Sequence, residues 1–362
     1  MRNAFFAALL AGATLAIPTT DAVASGARPK HIKSVKQTAF NKAPASPVGD
    51  CTPEKKEGRV RADVLFDMDD GTIVSSTLFD TKTGDVLKTN LTDDDMKKTV
   101  IHPASLTKLE SVMELMRRIM SGEWAKDTVI KFFFKKKQPT NLTLTDIAVA
   151  SLNPSANVMD HPSIATPDFI ASMNAYMKSK GMLNTTYLNA TGYPTNQEVR
   201  KGHLTTLHDL IIGIRDFELN YATPEKVKEV FGLDKLTGLW KINVPGLKRV
   251  QHTISVLETA EGKAAHPIEG VVSGKSGTTC NFGSGAYLTY QFNKDHTFGL
   301  LTIGHNSGAA RDAYIRSSFE TQKTAMADFI RHSKPIQKIE PLPLQTKLPI
   351  PEAVTALAPL HQ

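Results

Sequence analysis

The sequence predicts an α+β domain built around one antiparallel sheet. Runs with the alternation and turn punctuation of strands occur near both ends of the apolar part of the chain, and the stretch between them has helical periodicity. No internal repeat is present, so a stacked-repeat architecture is not indicated.

"RADVLFDMDDGTIVSSTLFDTKTGDVL" alternates β-branched and apolar runs with Asp-Gly and Thr-Gly turns, which reads as hairpin strands. From Ser105, Leu106, Leu109, Val112, Met113, Met116 and Met120 recur at helical spacing until Gly122 stops them. "TLTDIAVASL" begins a second helix, with Thr145 as the expected cap. "TPDFIASMNAYMKSKG" gives a third, with Pro167 near its start and Gly181 at its end. "TTLHDLIIGIRDF" gives a fourth. Strands return in "IEGVVSGKSG", "GSGAYLTYQF" and "TFGLLTIGH", and a last helix is expected from Arg311 to Ile330.

The 362 residues are 41% hydrophobic and 22% charged, enough to bury a sizeable core. Residues 1–24 read as a signal peptide. Met1-Arg2-Asn3 is a short positive start, Phe5 to Ile17 is almost wholly apolar, and Ala22-Val23-Ala24 is an A-x-A cleavage site. A soluble exported protein, cut near Ala24, is expected. Residues 25–58 read as a flexible basic linker, 59–332 as the folded domain and 333–362 as a proline-rich tail. The net charge of +7 comes partly from these ends. "KFFFKKK" (Lys131 to Lys137) reads as a solvated strand or helix end; attraction to an anionic polymer or membrane surface is the alternative. No nucleic-acid module accompanies the charge, so no nucleic-acid partner is expected. Cys51 and Cys280 are the only cysteines, and whether they pair stays open. No CxxC, HExxH or acidic calcium loop occurs, so no metal is expected.

In "HPASLTKLE", Ser105 and Lys108 stand three apart and share a helix face, so hydroxyl and amine can meet. A serine needs a base to become a nucleophile, and a lysine serves only when neutral. With an ordinary pKa near 10.4 it needs a fall of roughly 3 units to be half neutral at pH 7. Alone, Ser-x-x-Lys equally describes a capped helix. Its company is more specific. Ser155-Ala156-Asn157 follows the second helix, and Lys275-Ser276-Gly277-Thr278 lies on an expected strand. Ser-x-x-Lys, Ser-x-Asn and Lys-[Ser/Thr]-Gly in that order mark the penicillin-recognising serine enzymes.

On these residues the chain resembles the serine D-alanyl-D-alanine carboxypeptidases, the low-molecular-weight penicillin-binding proteins. "MNAYMKSKGMLNTTYLNATGYP" is similar to the segment after the family's Ser-x-Asn, "HLTTLHDL" to the next helix start, and "FGLLTIGH" to the strand after Lys-Thr-Gly. The resemblance spans roughly Val64 to Ile330. It implies a β-lactamase/transpeptidase-like fold with helices on both faces of the sheet and an inserted all-helical subdomain. It also implies acyl transfer from peptidoglycan stem peptides ending in D-Ala-D-Ala, with β-lactams as inhibitors and no cofactor. Ser105 would be the nucleophile, Lys108 its base and Ser155 a proton relay. Asn157 would bind substrate and order Lys108. Lys275 would meet the substrate carboxylate and lower the pKa of Lys108, Ser276 and Thr278 would add hydroxyls, and Gly277 completes the motif. The amides of Ser105 and Thr278 would form the oxyanion hole.

Two departures matter. Serine replaces the usual threonine in Lys275-Ser276-Gly277, and Val158-Met159 follow Asn157 where carboxypeptidases commonly have Asp-Ala. A literal Lys82-Thr83-Gly84 precedes the nucleophile and reads as a hairpin turn. "GVVSGKSGTT" imitates a P-loop, but only three residues separate Gly270 from Gly274 and β-like sequence follows, so no nucleotide is expected. The alternatives are an endopeptidase of the same chemistry, a β-lactamase, and an exported wall-binding protein with a vestigial site. No Glu-x-x-x-Asn element supports the β-lactamase, and the intact polar positions oppose the vestigial site. Absence of Gly-x-Ser-x-Gly disfavours a Ser-His-Asp hydrolase. After the last helix neither a second β domain nor a membrane anchor is expected.

Overall fold

In the computed structural model, which describes residues 59–132, 140–153, 157–237, 241–242, 250–251, 254, 256, 267–280 and 282–333, the strands from both ends of the domain join in one antiparallel sheet. The expected leader, the linker with Cys51, most of the basic run, Ser155 and the tail from 334 lie outside the described residues.

β1 (Arg61–Asp67), β2 (Ile73–Phe79) and β3 (Val86–Thr89) are the expected hairpin strands. Between β2 and β3, the Asp80 carboxylate accepts the amides of Lys82 and Thr83 at 2.7 and 2.8 Å, so Lys82-Thr83-Gly84 is a turn. α1 (Asp93–Lys98) has no apolar period to announce it. A Thr92–Asp95 capping box and the ion pairs Lys97–Asp93 and Lys98–Asp94 hold it. β4 (Val100–Ile101) leads into a 3-10 turn, Ala104–Thr107, and then α2 (Lys108–Met120). The α-helix thus opens at Lys108, not Ser105. Ala104 has φ +50°, a left-handed value, and the Leu106 amide bonds back to the Pro103 carbonyl at 3.1 Å, which tightens the first turn.

β5 (Val129–Phe132) pairs with β6 (Thr140–Thr143), which runs into α3 (Leu144–Leu152). Thr143, not Thr145, caps α3. Its hydroxyl accepts the Asp146 amide at 3.1 Å and the Asp146 carboxylate accepts the Thr143 amide at 2.9 Å. A second 3-10 turn spans Asn157–Asp160, followed by α4 (Pro167–Ser179) and α5 (Gln197–Gly202). β7 (Thr205–Thr206) pairs with β4, and α6 (Leu207–Asp216) passes through a π-helical turn, Phe217–Tyr221, to α7 (Pro224–Phe231). β8 (Lys241–Ile242) and β9 (Val250–Gln251) pair with each other. β10 (Val271–Thr279), β11 (Gly283–Gln291) and β12 (Thr297–His305) precede α8 (Gly308–His332), which Ser307 caps three residues before the expected start.

The sheet order is β10-β11-β12-β1-β2-β3, with every pairing antiparallel. Both faces are covered. Val64 and Phe66 of β1, Tyr287 of β11 and Leu301 and Ile303 of β12 enter a core shared with α2, α3, α4 and α6. Leu65, Leu288, Phe298 and Leu300 point the other way, against Ile315, Phe319 and Met326 of α8. The two-residue period of the strands sorts side chains between these cores. The result is the expected sheet with helices on both faces. Leu109, Val112, Met113, Leu115 and Met116 of α2 are fully buried, each contributing about 2 kcal/mol of hydrophobic stabilisation. That burial fixes α2 against the sheet, and the turn before it packs on β10, the edge strand.

Candidate active site

The Ser105 turn is held from three sides. The Ala104 amide donates to His102 Nδ1 at 3.2 Å. A Cβ on Gly192, itself at φ +68°, would lie 1.7 Å from the Ala104 carbonyl oxygen, so only glycine admits that carbonyl. On the strand side, a Cβ on Gly277 would lie 3.3 Å from both the Ser105 amide nitrogen and Ala104 Cβ. Motifs 172 residues apart, Ser105 and Gly277, therefore meet backbone to backbone. Beneath the turn, His203 Nδ1 accepts the Leu188 amide at 3.0 Å, so the ring carries its proton on Nε2 and donates it to Thr107 Oγ1 at 2.8 Å. Burial, then the neighbouring His102, pushes the His203 pKa well below its usual value.

Lys108, the first residue of α2, is fully buried and its Nζ donates to Asn157 Oδ1 at 3.1 Å. Burial pushes its pKa down to about 8, against an upward pull from Asp160. About one molecule in ten then carries a neutral amine at pH 7. Asn157 and Asp160 both come from the 3-10 turn 157–160; Asp160 Oδ2 accepts the Thr191 hydroxyl at 2.5 Å.

Lys275 is also fully buried, with Nζ donating to the Ser276 carbonyl at 2.7 Å. Its pKa is pushed well below the ordinary value by burial, then by Lys108 and Arg311. The repulsion between two buried ammoniums favours states of the Lys108–Lys275 pair in which one amine is neutral. Arg311, nearly without exposure, is tied to Asp312 at 2.7 Å and to the Gly285 carbonyl at 3.3 Å. Along β10, Lys275 pairs with Tyr287, whose side chain enters the helical core, so Ser276 and Thr278 leave the opposite face. Thr278 Oγ1 donates to Ser284 Oγ at 3.3 Å. Cys280, just past the strand, is disulfide-bonded, and its carbonyl accepts Arg59 Nη2 at 2.8 Å.

Seven of the eight residues singled out by sequence are thus placed: Ser105, Lys108, Asn157, Lys275, Ser276, Gly277 and Thr278. Lys108 and Asn157 touch, Ser105 abuts Gly277, and the two lysines are close enough to repel. Ser155 lies outside the described residues. Asp160, Thr191, Gly192 and His203 were not singled out; the motif spacing ends before Asp160, and the other three lie in segments legible only as family-like stretches. A half-buried serine one turn before a buried amine of lowered pKa, its amide against a strand edge, is an arrangement suited to nucleophilic acyl transfer.

No protein-family model matches the chain, and no curated protein matches it in sequence. Its fold does match solved structures. Penicillin-binding protein D2 from Listeria monocytogenes, in its ampicillin-bound form, superposes with a TM-score of 0.53 at 17% identity, covering 73% of this chain and 96% of that one. The cefotaxime-bound form gives 0.52 at 16% identity over 73% and 96%. A peptidoglycan synthesis regulatory factor from Streptococcus pneumoniae gives 0.51 at 20% identity over 75% and 79%. The chain has the penicillin-binding protein fold.

Proposed function

We propose that this chain, having the penicillin-binding protein fold, is a serine D-alanyl-D-alanine carboxypeptidase that trims peptidoglycan stem peptides and is acylated by β-lactams. The observation that carries the reading is the buried Lys108 amine, held by Asn157 within the helix that Ser105 leads into. The three-motif order and the β-lactam-bound forms of a similarly folded protein support it.

Ser105 Oγ attacks the carbonyl between the two terminal D-alanines while neutral Lys108 takes its proton. The carbonyl oxygen becomes an anion held by the amides of Ser105 and Thr278, worth about 3 kcal/mol per donor. Collapse breaks the C–N bond, and the leaving amine takes a proton passed from Lys108 through Ser155. The Ser105 ester remains, and water releases it as a free acid. Lys275, whose pKa burial and then Lys108 lower, meets the substrate carboxylate, and that negative charge raises the pKa again. The chemistry needs no metal or organic cofactor.

A fluorescent penicillin should label the protein covalently, and Ser105→Ala should abolish the label; full labelling of that variant would remove Ser105 as nucleophile. Purified muropeptides digested with the protein and read by mass spectrometry should lose one alanine. Splitting of cross-linked dimers instead would identify an endopeptidase, and no change would leave only a penicillin-binding role.

A further inference from the structure

We infer that Asp160 is a positioning residue that sets the proton balance of Lys108: the turn 157–160 presents its carboxylate on the side from which Asn157 reaches the amine. The inference rests on the reading of Lys108 as the base. Side chains three apart on a 3-10 turn eclipse, so Asn157 and Asp160 leave it in the same direction. Asn157 is already 3.1 Å from Lys108 Nζ, which brings the Asp160 carboxylate to the same side of the amine.

The carboxylate is clamped where it stands. Oδ2 accepts the Thr191 hydroxyl at 2.5 Å and the Ala190 amide also bonds to the group. Oδ1 is buried with no hydrogen-bond partner among the described residues. Burial drives Asp160 toward its neutral acid, whereas Thr191, then Lys108, drive it back toward the anion. Reciprocally, Asp160 is the charge that raises Lys108 against burial. Among the described residues, Lys275 from β10 and Arg311 from α8 add positive charge, and Glu218, in the π-helical turn after α6, is bonded to Ser273 and Tyr287. Glu110, two residues along α2, turns to the Tyr187 hydroxyl at 3.1 Å instead.

The consequence for acylation has a definite sign. A general base works best when its pKa lies near the working pH. Stripped of the anion, Lys108 would be neutral over a wider pH range but would hold the serine proton less firmly. Asp160→Asn should therefore move the acidic limb of the acylation profile to lower pH by about one unit. It should also lower the plateau rate above pH 8. Thr191→Val removes a donor that favours the Asp160 anion, so it should move the limb the same way by less.

The test is a paired measurement on the mature protein: acylation by benzylpenicillin across a pH series, and the titration of Lys108 by carbon NMR of lysine-labelled protein. The Lys108 signal is identified by its loss in Lys108→Met. Thermal melts confirm that each variant is folded, and Thr191→Val keeps the test open should Asp160→Asn fail to fold. A Lys108 titration that falls in both variants, together with the limb, supports the inference. A titration unmoved in a folded variant overturns it, while penicillin acylation of the parent would leave the serine–lysine reading intact. Conversely, a Lys108 titration that moves in a protein benzylpenicillin never acylates would sink the base reading and leave the coupling standing.

Discussion

Ala104 carries the backbone into the Ser105 turn through a left-handed φ of +50°, and the space for its carbonyl exists because residue 192 has no side chain. Gly192→Ala should push that carbonyl away, and the serine with it. We expect a loss of about 2–4 kcal/mol in stability and acylation slowed on the order of 100-fold, checked by thermal melts and penicillin kinetics on one preparation. The pH dependence follows from Lys108. Its neutral form does the work, so acylation should climb about tenfold per pH unit and level off above about pH 8. A flat profile between pH 5 and 8 would show that another group is the base. Sequence made Ser105, Lys108, Asn157 and Lys275 legible because a serine nucleophile needs those residue types at short spacing. It did not reveal Gly192, Thr191 or Asp160, whose roles are contacts made across the fold.

Among the elements, α2 does two jobs, positioning Lys108 at its start and burying Glu110 a half-turn later. Glu110 is fully buried and its pKa is raised to about 8, chiefly by that burial. An acid whose folded pKa is raised stabilises fully below its unfolded value, near 4.5, and loses that contribution as pH climbs through about 8. Glu110→Gln keeps an acceptor for the Tyr187 hydroxyl and carries no charge. It should match the parent in stability near pH 4 and exceed it by on the order of 4 kcal/mol at pH 8, read from denaturant melts at the two pH values. Equal stability at both would mean that Glu110 ionises freely. The long helices and the six sheet strands were readable because their apolar periods run for several turns or pleats. α1 and α5 were not, being short and polar, and specified by capping rather than by burial. The start of α2 moved for a related reason: periodicity reports which face is buried and is silent about a left-handed residue that delays the α-helix by one turn.

At the scale of the molecule, the sheet runs from an exposed edge at β3 to the working edge at β10, and its middle strands are covered on both sides. That helices cover both faces was expected from the family resemblance, not from the strands themselves. The order of the strands was not, because nothing in the sequence of β12 says that β1 will dock beside it. The leader and tail remain expectations from composition. We predict that the mature chain begins near Ser25 and is recovered in the soluble periplasmic or extracellular fraction; recovery only with salt-washed membranes would contradict this. Arg59, at the head of the domain, grips the carbonyl of Cys280 and reaches Asn306 at 3.2 Å. Cys280 stands two residues beyond Thr278, so the chain enters its own domain at the doorway of the cleft. A reporter or affinity handle placed ahead of Arg59 would hang at that doorway, in the path of an arriving ligand. One placed after α8 would leave from the far side of the sheet, which makes the C-terminal end the better place to hold the protein while its cleft is probed.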